Sequence, residues 1–298
     1  MPKLTGNKGE WSEIYVFLRL LEIGRLYAAD ADLNKMEDVF YNIINIMRNE
    51  NIGILEFRVD RSAKLISVYN SETSTKLLDV PSDKFALVAD NLYGDIVEAN
   101  APSFVSEDTE DFLGEINVNT LKAKSSDKAD IHIKIHDINS GYEAVQGFSV
   151  KSRLGGASTL INAGVTTNFI YEILGNPTDE IIEGFASCSK LFKQKMTYLK
   201  NMGCDLKYEG MENDIFENNL LLLDGDLPEI CSYMLLEYFS KGINTVEKSL
   251  ESIVKANPMN YNLSKGQPFY QYKFKKLLTE SALGMLPSKP WDGVADAT

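Results

Sequence analysis

The chain has 298 residues, of which 44% are apolar and 24% are charged, and its formal net charge is −13. This is the composition of a folded globular protein, and it excludes a disordered, collagen-like or disulfide-scaffolded chain. No apolar run reaches the roughly 18–20 residues of a membrane helix, and no signal peptide is recognisable at the start. The three cysteines lack Cys-x-x-Cys spacing, which is typical of reduced thiols rather than a zinc site. We therefore expect a cytoplasmic protein without a membrane partner.

The acidic and basic residues are unevenly distributed along the chain. Residues 79–145 hold 14 acids and 5 lysines, which accounts for most of the negative charge. Residues 186–207 hold five lysines against one acid, and residues 241–276 hold seven lysines against two acids, with aromatic residues among them. Basic residues interleaved with aromatics suit a polyanion surface, although a solvated helix face over buried aromatics gives the same pattern.

In the N-terminal half, apolar periodicity and turn residues predict a mixture of helices and strands. The predicted elements are a helix over 10–27, an amphipathic helix over 33–49, a hairpin of 53–59 and 64–69, and a helix over 82–99. The acidic segment 106–128 is predicted to be partly loop, and two strands are predicted over 130–136 and 147–151.

The C-terminal half has a mainly helical pattern. A helix near 167–174 is predicted to end at Gly175, and the helices that follow are predicted over 179–202, 212–223, 227–241, 245–256 and 270–284. We expect an α/β (α+β) fold, with a mixed central sheet flanked by helices and a mainly helical C-terminal third.

The predicted strand 130–136 alternates between apolar and polar residues, so its three isoleucines share one face and its polar residues the other. The polar set is Asp130, His132, Lys134 and His136. In the next strand, Ser149 and Lys151 likewise share a face. An acid that heads one strand and a lysine on the next strand match a metal-dependent nuclease layout. In most such sites an acid stands where this chain has Ser149.

The first helix offers a second carboxylate for such a site. At about 100° per residue, Glu10 and Glu13 fall inside the apolar arc, whereas Ser12 falls outside it. A carboxylate on a buried face must be paired or metal-bound. Glu10 also lies in the first turn, where the helix dipole favours an acid. For Glu13, a metal-facing role and a buried hydrogen bond are both open.

Other interpretations fit the same residues. Polar alternation is also found in strands that are simply half-solvated. His132 and His136 are the chain's two histidines, and they are compatible with surface positions or with a histidine-centred nuclease. No phosphate-loop motif and no nucleophile-elbow motif occurs.

Several longer blocks of sequence resemble the HpaII-type restriction endonucleases. They are GEWSEIY at 9–15, KADI at 128–131, GFSVKSRLG at 147–155, TLINAG at 159–164, TTNFIY at 166–171, ALGM at 282–285 and WDG at 291–293. The resemblance spans the whole chain. Family members usually continue past the Trp-Asp-Gly block into further strands, so the stop at Thr298 predicts a truncated C-terminus.

The resemblance implies a type II restriction endonuclease of the PD-(D/E)xK nuclease superfamily, which cuts duplex DNA at a short palindrome, CCGG for the namesake. The sequence departs from the superfamily pattern at Ala129, which replaces a proline, and at Ser149. The implied mechanism uses Asp130 and Glu13 as ligands of Mg²⁺, Lys151 beside the attacking water, and Ser149 as a hydrogen-bond partner of a water on the ion.

The resemblance also assigns functions to the two parts of the chain. Residues 1–178 are expected to form the catalytic core, and 179–298 a lysine-rich region that packs on it and contacts DNA phosphates. The candidates for base recognition are Arg153, Asn162 and Asn168, for which turn and cap chemistry is the alternative.

The expected partners follow from a restriction-modification system. They are double-stranded DNA, a second copy of the chain in a homodimer that suits a palindrome, and a cognate DNA methyltransferase as a functional partner. The alternative function is a sequence-specific DNA-binding protein that has lost catalysis through truncation or through Ser149.

Overall fold

The computed structural model describes residues 3–30, 32–121, 129–154, 161 and 163–294. Contacts divide the chain into an N-terminal unit, Met1–Ser158, and a C-terminal unit, Thr159–Ala295. None of the helices in the described ranges is both long enough and apolar enough to cross a lipid bilayer. The functional division at residue 178 stays a prediction.

The N-terminal unit is built around one antiparallel sheet. Its helices are α1 (Lys8–Ile23), α2 (Ser82–Glu98) and α3 (Glu107–Glu115). Its strands are β1 (Arg25–Ala29), β2 (Lys35–Glu50), β3 (Gly53–Asp60), β4 (Leu65–Asn70), β5 (Thr75–Pro81), β6 (Ile131–His136) and β7 (Glu143–Phe148). The seven strands have the order β5-β4-β3-β2-β6-β7, and β1 pairs with β2. The predicted α+β class is confirmed.

The helices and one face of this sheet enclose the core of the unit. Helix α1 packs against α2, and the Phe17 ring of α1 meets Phe57 of β3 edge-on, with 5.0 Å between the ring centres. The three isoleucines of β6 are buried in the same core. The alternation predicted for this strand is therefore confirmed, and it directs the polar residues of β6 to the other face of the sheet.

Helix α1 has a defined start and end. At its start, Asn7 and Glu10 form a capping box: Oδ1 of Asn7 accepts from the Glu10 amide at 3.0 Å, and Oε2 of Glu10 accepts from the Asn7 amide at 2.9 Å. At its end, Gly24 takes the left-handed conformation with φ of 65°. The helix predicted over 10–27 therefore ends earlier, because Gly24 turns the chain into β1.

The amphipathic helix predicted over 33–49 is wrong, because these residues belong largely to strand β2. A register shift against β6 between Ile43 and Asn45 marks a β-bulge. The bulge leaves the buried Ile43 and Ile46 three residues apart, which is a helical spacing. The β-branched and aromatic residues of this segment favour a strand, and the pairing with β6 decides the outcome.

The C-terminal unit contains two strands and several helices. The antiparallel strands are β8 (Phe169–Leu174) and β9 (Asp205–Met211). The helices are α4 (Asp179–Ser187), α5 (Phe192–Asn201), α6 (Asp214–Leu223), α7 (Leu227–Lys241), α8 (Val246–Ala256) and α9 (Phe269–Leu283). The predicted helices after residue 179 are confirmed, with 179–202 divided into α4 and α5. The helix predicted near 167–174 is wrong, because β8 pairs with a strand that lies beyond two helices in the chain.

Candidate active site

Two of the predicted site residues meet at one edge of the sheet in the N-terminal unit. Asp130 precedes β6 and Ser149 follows β7, and antiparallel pairing places the start of β6 beside the end of β7. The Ser149 hydroxyl donates to Oδ2 of Asp130 at 3.0 Å, and the Val150 amide donates to the same oxygen at 2.6 Å. Within the described residues, Oδ1 of Asp130 accepts no hydrogen bond. One carboxylate oxygen is thus held in place, and the other is available to a ligand.

The segment that carries Lys151 lies just beyond β7. The strand was predicted over 147–151 but ends at Phe148, because its partner β6 begins only at Ile131. The Val150 amide donates to the Asp130 side chain instead of to a strand backbone. Phe148 and Val150 both pack against the core of the unit. Lys151 is exposed, and its amine has no ion pair with any residue that the structure describes.

Two serines join α1 to this segment. Ser12 is 3% exposed, and its hydroxyl lies 2.9 Å from the Ser152 hydroxyl. The expectation that Ser12 lies outside the buried face of α1 is wrong, because it faces this partner. Glu13 follows Ser12, and Lys151 precedes Ser152. The contact therefore joins the residues that are adjacent in sequence to Glu13 and Lys151.

Glu13 lies close to a buried arginine of β2. One of its carboxylate oxygens, Oε2, is buried, and its negative charge acts on the Arg48 guanidinium. Burial lowers the pKa of Arg48 below its ordinary value, while the charges of Glu50 and Glu13 act in the opposite direction. The sequence analysis missed Arg48 and Glu50, because it assigned most of their segment to a helix.

The two histidines have the contacts of ordinary cross-strand neighbours. His136 pairs with Glu143 across β6 and β7, and its Nδ1 lies 3.5 Å from Oε1 of Glu143. The Lys134 amine lies 3.2 Å from the other carboxylate oxygen of Glu143. His132 is partly buried beside Gly147 of β7. These contacts favour a structural interpretation of the histidines over a histidine-centred site.

The predicted base-reading residues fall in different parts of the chain. Asn162 lies outside the described residues. Arg153 is exposed in the segment after Lys151. Asn168 lies in the C-terminal unit, where its Nδ2 donates to Oε2 of Glu212 at 2.7 Å. This hydrogen bond occupies one donor of the Asn168 amide.

Lysines of the C-terminal unit differ in whether a carboxylate pairs with them. Lys193 and Lys200 lie two turns apart on one face of α5, and neither has an ion pair among the described residues. Lys241 and Lys273, in contrast, lie 2.7 Å and 2.5 Å from carboxylate oxygens. Lys193 and Lys200 are exposed, so their positive charge can act on a polyanion.

Comparison with known proteins identifies the family. The HpaII restriction endonuclease model matches residues 7–298. The chain belongs to the HpaII restriction endonuclease family. It is 39% identical over 296 residues to the type II restriction enzyme HpaII of Haemophilus parainfluenzae, which covers 99% of this chain and 81% of that enzyme. No solved structure matches the chain.

Membership of the HpaII family confirms the resemblance found in the sequence. The chain is a type II restriction endonuclease, a site-specific deoxyribonuclease, and its substrate is DNA. As a restriction endonuclease it must bring an acid, a nucleophilic water and a phosphodiester together. The assignment of Asp130, Ser149 and Lys151 to this chemistry stays a prediction.

The donor chemistry of this HpaII-family site fits a hard divalent cation. Within the described residues, no three His, Cys, Asp or Glu side chains are grouped as a metal site. Carboxylate oxygens are nevertheless the ligands that Mg²⁺ prefers, and Mg²⁺ keeps several of its waters, so that one or two carboxylates suffice. The available Oδ1 of Asp130 meets this requirement.

Proposed function

We propose that this restriction endonuclease hydrolyses phosphodiester bonds of double-stranded DNA at a short palindrome, CCGG as for the family's namesake, with Mg²⁺ as cofactor. One observation carries the proposal. Oδ2 of Asp130 is fixed by the Ser149 hydroxyl and the Val150 amide, at 3.0 Å and 2.6 Å, and the exposed Lys151 is the next residue in the chain. An oriented acid, followed closely in the chain by a lysine without an ion pair among the described residues, supports metal-assisted phosphodiester hydrolysis.

Each residue has a separate part in the proposed reaction. Asp130 and Glu13 are the residues that would hold the ion. When bound, Mg²⁺ polarises the phosphodiester and makes a water acidic enough to attack at neutral pH. The Lys151 amine orients the attacking water and offsets the negative charge that develops on the phosphate. Ser149 keeps the Asp130 carboxylate in one orientation by donating to its Oδ2.

DNA recognition uses residues outside this reaction centre. Arg153 is the strongest candidate for reading guanine, because a guanidinium donates to both acceptors of its major-groove edge. Asn162 and Asn168 are further candidates. Lys193 and Lys200 contact phosphates, which positions the enzyme without specifying a sequence.

The remaining partners follow from the same function. A palindrome has two-fold symmetry, so a homodimer presents one copy of the site to each strand. A cognate DNA methyltransferase protects the host's own sites, and both enzymes work on DNA in the cytoplasm.

The catalytic assignment is tested by Asp130→Asn and Lys151→Met, two substitutions of similar size. Each is expected to lower the rate of plasmid cleavage in Mg²⁺ by at least about 10²-fold, because each removes charge that acts on the transition state. Binding to a CCGG duplex in Ca²⁺, measured by gel shift, is expected to persist. Mapping the ends of cleaved DNA of known sequence identifies the recognition site.

The matched controls are His132→Gln and His136→Gln, which change polar residues of the neighbouring strand. Both are expected to cut at the parent rate. Cleavage that survives Lys151→Met but is lost in a histidine variant would replace this assignment with a histidine-centred site. Duplex binding by the parent enzyme without any cleavage would support the DNA-binding alternative.

A further inference from the structure

The segment after β7 continues to alternate between inward and outward residues, although the strand itself has ended. Val150 and Leu154 pack against the core of the N-terminal unit, and Ser152 between them is half-buried. Lys151 and Arg153, which separate these three residues, are exposed. Because successive side chains of an extended chain point to opposite sides, the inward row determines where Lys151 and Arg153 point.

Ser152 is the polar member of this inward row, and its partner is the buried Ser12 of α1. The Ser12 hydroxyl donates to the Lys8 carbonyl at 2.7 Å, and the two serine oxygens lie 2.9 Å apart. Since a hydroxyl has one hydrogen, Ser12 accepts from Ser152. Oγ of Ser152 accepts in turn from the Leu154 amide at 3.2 Å. A chain of three hydrogen bonds therefore connects the segment to α1.

The serine pair supplies a directional contact that the surrounding apolar residues lack. On α1, the neighbours Trp11 and Ile14 of Ser12 are fully buried. Apolar burial is non-directional, so by itself it tolerates a slip of the segment along the helix. A slip by one residue would exchange the inward and outward rows and turn Lys151 towards the core. The hydrogen bond between Ser12 and Ser152 forms in only one register and therefore excludes this slip.

We propose that Ser12 and Ser152 are positioning residues, which hold the segment after β7 in the register that keeps Lys151 outward. This inference rests on the proposed function, in which Lys151 acts in the reaction. The Val150 amide fastens the residue before this lysine to Asp130, at 2.6 Å. The serine pair fastens the residue after it, at 2.9 Å. The backbone of Lys151 is thus held from both sides, although its side chain is exposed.

The first test is DNA cleavage by the double variant Ser12→Ala/Ser152→Ala. Exchange of both partners of a hydrogen bond for apolar groups costs little stability, so the variant is expected to fold as the parent does. Its rate of plasmid cleavage at saturating enzyme is expected to fall about fivefold, the factor that corresponds to one net hydrogen bond. In a Lys151→Met background, the same two substitutions are expected to leave the residual rate unchanged, because the serines act through that lysine.

The second test follows the segment itself, in the whole protein without metal or DNA. Trypsin cuts after lysine, and Ser12→Ala leaves the peptide around Lys151 unaltered. We expect tryptic cleavage after Lys151, measured by mass spectrometry, to be about fivefold faster in Ser12→Ala than in the parent, because the segment opens more often without the hydrogen bond.

The matched control is Ser187→Ala in α4. The Ser187 hydroxyl also donates to the carbonyl four residues earlier, that of Glu183, at 2.7 Å. Unlike Ser12, it has no hydrogen bond to another segment among the described residues. This variant is expected to match the parent in both tests.

The outcomes separate this inference from the proposed function. If folded Ser12→Ala/Ser152→Ala cuts at the parent rate, or loses as much in the Lys151→Met background, the positioning role is refuted and the assignment of Lys151 stands. Unchanged tryptic cleavage in Ser12→Ala refutes the positioning role as well. If Lys151→Met alone cuts at the parent rate, the proposed function of Lys151 fails. Should the double variant not fold, Ser152→Ala alone is expected to lower the cleavage rate, and an unchanged rate there overturns the inference.

Discussion

Ser149 stands where the resemblance to metal-dependent nucleases predicts a carboxylate. Two carboxylates about 3 Å apart repel each other, so a metal-free site with both acids is electrostatically strained. The Ser149 hydroxyl instead donates to Asp130 at 3.0 Å, which stabilises the single acid. We propose that Glu13 supplies the second carboxylate that the serine does not provide.

Cys231 gives the C-terminal unit a measurable dependence on pH. It packs among apolar residues, and burial raises the pKa of its thiol from 9.0 to about 12. The folded state therefore keeps a proton that the unfolded state loses, so stability that is present below pH 9.0 is lost as the pH rises towards about 12. In urea unfolding at a series of pH values, Cys231→Ala is expected to lose less stability across this range than the parent.

The control is Cys188→Ala, because Cys188 is exposed. It is expected to follow the parent curve. If the parent and Cys231→Ala lose stability in parallel, the thiol does not titrate differently in the two states.

Helix α1 connects the fold to the proposed chemistry. Its residues supply the serine contact to Ser152, the carboxylate of Glu13 and the Phe17 ring that covers Arg48. Because Ser12, Glu13 and Phe17 lie within the first three turns of α1, their orientation depends on how the helix begins. The capping box at Asn7 is therefore part of the support for the site.

The capping box is tested by Asn7→Ala. Loss of the side-chain acceptor for the Glu10 amide is expected to lower the free energy of unfolding by about 1 kcal/mol, measured by urea denaturation. Asn7→Asp keeps the acceptor and is expected to remain within a few tenths of the parent value. Equal destabilisation by both substitutions would show that the cap does not act through this hydrogen bond.

The errors of the sequence analysis have a common physical cause. Strand β2 appears helical because its bulge places Ile43 and Ile46 at helical spacing. Strand β8 appears helical when its own sequence is considered alone. The alternate burial of its residues depends on pairing with β9. In both segments, pairing with a distant strand decides the secondary structure. The periodicity of one segment contains no information about that pairing. Helices α6 to α9 were predicted well because their apolar pattern and end signals are local.

For the molecule as a whole, the proposed functions fall in different units. Asp130, Ser149 and Lys151 lie in the N-terminal unit, and the free lysines of α5 lie in the C-terminal unit. Phosphate contacts dominate the salt dependence of DNA binding, whereas the reaction centre dominates cleavage. The two contributions can therefore be separated by experiment.

The phosphate contacts are tested by the double variant Lys193→Ala/Lys200→Ala. Each lost contact is expected to reduce the slope of log affinity against log salt by roughly 0.9, so that the double variant binds duplex DNA more weakly and less salt-dependently. Cleavage at saturating enzyme is expected to stay at the parent rate. The control is Lys76→Ala, whose amine already lies 2.6 Å from Asp79; an equal change of slope in this control would exclude a specific role for α5.

Of the candidate site, only the residues within segments of alternating polarity could be predicted from the sequence. The alternation of 130–136 and 147–151 indicated Asp130, Ser149 and Lys151 as candidates, and the hydrogen bond between the first two agrees with that grouping. The contact between Ser12 and Ser152 and the contact between Phe17 and Arg48 join segments far apart in the chain. Their residues have no local pattern that distinguishes them, since the selection comes from packing of α1 on the sheet.

The Val150 amide and the Ser149 hydroxyl both fasten the chain after β7 to one oxygen of Asp130. An alanine at position 130 would consequently remove the proposed metal ligand and also release the segment that carries Lys151, so an alanine scan would overstate the chemical importance of the acid. Asparagine retains an oxygen that can accept these two hydrogen bonds, so its effect reports the loss of charge alone. We therefore expect substitutions at Asp130 to be of two kinds. Some remove only its charge, and others also free the segment after β7.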